Sequence, residues 1–121
     1  MIVTEKGLAM EKTTDFCKVT AVIRTGVLER VEQRLQDVGV HGICVTSVKG
    51  HGEYADFYSR DCMTTHARVE IFTSAERADD VVQAIMEAAY TGVKGDGIVA
   101  VLPVSKLYRI RQRAEVRPDE V

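Results

Sequence analysis

Two short stretches in the second half of the chain have the residue types to hold a phosphate. Gly95-Asp96-Gly97 can fold as a tight turn, in which glycine lets the backbone approach a ligand and point N–H groups at it. The same tripeptide serves as a plain helix-to-strand turn, with Gly92 as the cap of the preceding helix. Arg109 and Arg111 are one residue apart, so on an extended segment both guanidinium groups project to one side. Two such forks suit a polyphosphate, since each donates paired charge-assisted hydrogen bonds. With Lys106, Arg113 and Arg117 nearby, they are alternatively part of a solvated basic tail. Gly50 and Gly52 bracket a loop entry, where glycine gives either close backbone approach or simple loop freedom.

A second cluster could bind metal. His51, Cys62 and His66, with Asp56 and Asp61, place soft and hard ligands in one segment, but they lack the close pairs of a structural zinc site. Catalysis has weaker support. There is no G-x-S-x-G, no P-loop, and no nucleophile–base pair argued by anything beyond proximity. The chain reads as a non-enzyme.

Composition narrows the classes further. The 121 residues suffice for one domain. Sixteen basic and eighteen acidic residues give a net charge of −2, which argues against a nucleic-acid or membrane surface. The aromatic platform of an RNA-recognition sheet is also missing. Cys17, Cys44 and Cys62 are odd in number and widely spaced, which fits a reducing cytoplasm better than a disulfide framework. No stretch reaches the roughly 18 apolar residues of a membrane helix. Residues 1–18 mix charges with small residues and read as a flexible leader, with Met10 as an alternative start.

The elements that must position these residues follow from periodicity. Val19–Thr25 is short and β-branched, a strand. Leu28, Val31, Leu35 and Val38 fall at helical spacing, and Gly39 stands where a helix commonly ends. Ile43–Lys49 is a second strand with Ile43, Val45 and Ser47 on one face. Residues 50–65 have no period and read as a long functional loop. The pattern then repeats: a strand over Ala67–Thr73, a helix over Ala78–Tyr90 striped by Val81, Val82, Ile85, Met86 and Ala89, and a strand over Ile98–Val104. This is an α+β, ferredoxin-like double βαβ unit, a four-stranded antiparallel sheet with two helices on one face. The opposite face, assigned Val22, Val69, Ile71, Val99 and Val101, is expected to be apolar and covered by self-association. The domain is expected to span residues 19–112, with 113–121 as a C-terminal tail.

Tyr90-Thr91-Gly92-Val93-Lys94-Gly95-Asp96-Gly97-Ile98-Val99 resembles the C-terminal signature of the PII signal-transduction proteins. The likeness extends to Val38–Gly52 and to Arg109-Ile110-Arg111, and covers Val19 to Arg111 in order. The resemblance implies a homotrimer with an adenine-nucleotide pocket (ATP, ADP or AMP) in each cleft between subunits. It also implies a loop that contacts a target protein, whether transporter, enzyme or regulator. Carried over by position, the nucleotide residues are Gly42, Ile43, Cys44, Gly50, Gly52, Glu70, Phe72, Gly92, Gly95, Asp96, Gly97, Arg109 and Arg111. The partner-contacting loop contributes His51, Glu53, Tyr54 and Tyr58, the tyrosines being read as docking aromatics rather than modification sites.

The chain also departs from that pattern. Ile98 follows Gly-Asp-Gly where the family usually has a basic residue, Glu53 and Tyr54 replace an Arg-Gln pair, and His66 replaces a lysine. The loop is also several residues shorter. Loss of positive charge weakens binding of the γ-phosphate and of a dianion most. ADP or AMP is therefore expected to compete well with ATP, and response to 2-oxoglutarate to be weak. Two alternatives stand beside this reading: a bicarbonate-responsive member acting in inorganic-carbon metabolism, and a metal-binding ferredoxin-like trimer.

Overall fold

The computed structural model describes residues 14–50 and 64–121, with the side chains of Gly50, Thr64 and Thr65 outside that description. Strand β1 (Phe16–Arg24) leads through a 3-10 turn into helix α1 (Leu28–Asp37), then strand β2 (Cys44–Gly50). Strand β3 (Thr64–Ser74), a second 3-10 turn, helix α2 (Ala78–Ala89) and strand β4 (Gly97–Val104) repeat the pattern. The sheet order is β2-β3-β1-β4, with every neighbouring pair antiparallel. This is the ferredoxin-like double βαβ arrangement, as the periodicity predicts.

Each helix forms where apolar residues recur on one side. Val31 and Leu35 of α1 are buried, with Leu28 and Val38 half-buried against the same core. On α2 the buried residues are Ala78, Val81, Ala84, Ile85, Ala88 and Ala89. Met86, assigned to the stripe from sequence, is instead 48% exposed, because it falls outside the arc of the helix centred on Val81 and Ile85. Helix α1 ends in a Schellman motif, with Val40 N–H donating to the Leu35 carbonyl at 2.9 Å and Gly39 N–H to Gln36 at 3.0 Å. Gly39 takes φ +91°, the left-handed conformation this ending needs.

Register corrects the assignment of the sheet faces. Val19 pairs with Ile71 and Val101, and Ala21 with Val69 and Val99. Val19, Ala21, Val69 and Ile71 are buried in the core with the helices, and Val99 packs against them. Four of the five residues assigned to the far face therefore lie on the helix face. Only Val22 is on the far side, in line with Ile98 and Arg68. That outer face carries Phe72, Ile98 and Leu102, each exposed by 42–50%. By register Lys18, Thr20, Arg68 and Glu70 share that face, so it is mixed, with exposed apolar side chains set among charged ones, rather than the apolar surface expected.

Both ends of the domain hold more regular structure than the sequence pattern indicates. β1 starts at Phe16, which is 3% exposed and pairs with Ser74 and Val104. Beyond β4, Tyr108–Arg109 (β5) and Ala114–Glu115 (β6) form a two-stranded hairpin, followed by a 3-10 turn over Pro118–Glu120.

Candidate ligand cleft and glycine loop

The residues expected to hold a ligand fall into two groups at different places on the sheet. The first lines a cleft of about 540 Å³ at the β2 edge. The Schellman ending of α1 turns the chain sharply, so that Gly39–Cys44 runs along one wall. Alternate residues of β3 supply the floor with Glu70 and Phe72, while Leu107–Arg109 and Val116 close the far side. Of the predicted set, Gly42, Ile43, Cys44, Glu70, Phe72 and Arg109 meet here. The walls combine apolar side chains and backbone edges with four charged side chains, Glu70, Arg77, Arg109 and Glu120, the mixture of a small-molecule site.

The charged groups of the cleft already have partners. Glu70 pairs with Lys18 at 3.2 Å. Arg109 Nη2 donates to the Glu120 carbonyl at 3.1 Å, and Arg77 donates to the Val38 carbonyl. Val116, 5% exposed, anchors the last segment through its N–H to the Leu107 carbonyl at 2.8 Å. Arg111 departs from expectation. It sits in the turn between β5 and β6 rather than on an extended segment, outside the residues lining the cleft. The turn is completed by Arg113 at φ +53°.

The second group is the loop from Thr91 to Gly97, at the end of the sheet where β1 finishes and β4 begins. Asp96 organises it. Its carboxylate accepts the N–H of Thr91 at 2.8 Å, the N–H of Gly92 at 2.9 Å, the Thr91 hydroxyl, and Arg24 Nε at 3.0 Å. Burial opposes its charge, but these donors outweigh burial and hold the carboxyl well below the usual carboxylate range. Asp96 is thus a structural clasp that spends its oxygens inside the loop. Gly97 lies at φ +104°, and a Cβ there would overlap the Val22 carbonyl oxygen, so glycine is required for the loop to enter β4 at all. Gly50 closes β2 opposite Thr64, at this same end of the sheet.

Within one chain the groups cannot meet. β2 and β4 are three strand spacings apart, about 14 Å. Cys44 and Gly97 also differ by three residues of register through β3 and β1, about 10 Å along the strands.

Several contributors were not legible from sequence. Arg24 and Arg77 act on partners distant in sequence and Glu120 through its backbone carbonyl, while Thr91, quoted in the signature, acts by bonding Asp96. Gly52, His51, Glu53, Tyr54 and Tyr58 lie outside the described residues. So do His51, Asp56, Asp61 and Cys62 of the metal reading. Its remaining member, His66, is 1% exposed with Nε2 on the Gly95 carbonyl at 3.0 Å. Among the described residues no group of three or more His, Cys, Asp or Glu is placed to hold a metal ion. No described helix is long and apolar enough to cross a membrane.

Comparison with known proteins agrees with this architecture. The family described as Nitrogen regulatory protein P-II matches residues 16–114. A nitrogen regulatory protein P-II from Cyanidium caldarium is 37% identical over 103 residues, covering 79% of this chain and 91% of its own length. GlnK of Escherichia coli is 31% identical over 100 residues, 77% of this chain and 89% of that protein. The P-II homolog of Arabidopsis thaliana is 32% identical over 79% of this chain, which spans about half (53%) of that longer relative. Among solved structures, Arabidopsis thaliana PII bound to citrate superposes with a TM-score of 0.75 at 32% identity, covering 85% of this chain and 90% of the other.

Proposed function

The chain belongs to the nitrogen regulatory protein P-II family, and from that premise we propose that it binds an adenine nucleotide between subunits of a trimer. Occupancy of that site is passed to a target protein through the segment that joins β2 to β3. Family members are regulatory signal transducers rather than enzymes.

The observation that carries this reading is the separation of the two residue groups. The apolar walls of the cleft are compatible with an adenine base and the backbone of the glycine loop with phosphates, yet the two lie about 17 Å apart on one sheet. One subunit's cleft facing the next subunit's loop completes a nucleotide site, and a closed ring repeats that contact. The exposed apolar side chains of the outer face, Phe72, Ile98 and Leu102, give the subunits a reason to associate. That the solved Arabidopsis thaliana relative carries citrate supports an anion-binding role for the family scaffold.

Calorimetric titration with ATP, ADP and AMP, alone and with 2-oxoglutarate or bicarbonate, tests the reading. Saturable ADP binding that falls in Arg109→Ala supports it, and absence of binding by any nucleotide contradicts it. Sharpening by bicarbonate alone would assign the chain to inorganic-carbon sensing, which its few cations favour over a dicarboxylate.

A further inference from the structure

The glycine loop is tied to the sheet by its carbonyls. Arg24, the last residue of β1, donates from Nη2 to the Val93 carbonyl at 3.2 Å and the Lys94 carbonyl at 2.6 Å. His66 on β3, its partner in register, bonds through Nε2 to the Gly95 carbonyl at 3.0 Å. A carbonyl oxygen only accepts, so Nε2 carries the proton. Three consecutive peptide units therefore present their oxygens to Arg24 and His66. The peptides are trans, and in a trans unit the N–H points opposite to the C=O. The amides of Lys94, Gly95 and Asp96 are thereby turned away from this anchor together, as in a backbone nest for an anion.

Charge does not explain the arrangement on its own. Arg24 is balanced by Asp96 through the 3.0 Å ion pair, so the guanidinium fixes direction more than it adds attraction. Ile98 supplies no cation after Gly97, which shifts coordination of an anion at this loop toward the backbone amides.

We propose that Arg24 and His66 are positioning residues of a phosphate cradle: by holding the carbonyls of residues 93–95 they aim the three following amides at the nucleotide's phosphates. This rests on the nucleotide reading above. Preorganised amides are already desolvated and directed before the ligand arrives, so loosening them weakens the charged part of the ligand and spares the base.

The test compares ADP with adenosine on the unaltered full chain and on Arg24→Gln, His66→Leu and His66→Gln. Arg24→Gln and His66→Leu are expected to weaken ADP about tenfold while leaving adenosine unchanged. His66→Gln, which keeps a donor for the Gly95 carbonyl, is expected to recover most of the affinity. Equal weakening of both ligands, or unchanged ADP affinity in both variants, overturns the proposal. Should the variants fail to fold, amide NMR of the unaltered chain decides. The Lys94, Gly95 and Asp96 signals shift with ADP and pyrophosphate but not with adenosine, and static signals overturn it. No ADP binding by the unaltered chain overturns the nucleotide reading itself.

Discussion

Asp96 collects four hydrogen bonds and so links both ends of the glycine loop to β1 at a single carboxylate. The folded state holds its proton affinity far below the value near 3.9 of an unfolded aspartate. Its stabilisation is therefore complete above about pH 5 and fades as pH falls through about 4, where the unfolded chain takes up the proton first. Asp96→Asn should flatten the fall of the urea midpoint between about pH 6 and about pH 3. A parent-like acid limb would show that other carboxylates carry the effect. Gly97→Ala should cost about 2–4 kcal/mol or prevent folding, because the new methyl meets backbone rather than a flexible side chain. Urea denaturation measures it, and a loss under about 1 kcal/mol would contradict the close approach to Val22. Sequence marked Gly-Asp-Gly as special on ligand grounds. The structure adds that both the aspartate and the second glycine are demanded by the fold, a reason invisible without Arg24 and Val22 beside them.

At the scale of elements, the two helices and four strands were legible because apolar periodicity changed cleanly between them. Which side of a strand faces the helices was not. Val69 and Ile71 are as β-branched as Val22, and only pairing with Val19 and Ala21 places them in the core. The α2 stripe shows the same limit. Ile85 is fully buried and Met86 is half-exposed, although both satisfy the helical period. Ile85→Ala should cost about 2–5 kcal/mol and Met86→Ala less than about 1 kcal/mol in chemical denaturation. Equal costs would contradict the packing of α2. The hairpin of β5 and β6 escaped notice for a different reason. Each strand has two residues, half of the segment from Tyr108 to Glu115 is charged, and its turn uses Arg113 rather than glycine at positive φ.

At the scale of the molecule, a list of ligand residues was readable from family likeness, but not their division between two ends of the sheet. That division turns a set of matching positions into a claim about assembly. The outer face makes the same claim independently. Leu102→Glu places a charge on the exposed apolar surface of β4 and should lower the oligomer mass seen by light scattering, with far-ultraviolet circular dichroism retained. An unchanged mass would move the subunit contact elsewhere.

The most direct test of a site shared by two subunits is complementation in mixed oligomers. Arg109→Ala impairs the cleft half, and Lys94→Glu sets a carboxylate on the exposed loop half. Each variant alone should bind ADP weakly. Co-expressed chains, purified as mixed oligomers, should regain ADP binding of parental affinity in a fraction of their sites, since some pairs join an intact cleft to an intact loop. If the mixed oligomers bind no better than the two variants measured separately, both halves act within one chain, and the account of an inter-subunit nucleotide site is wrong.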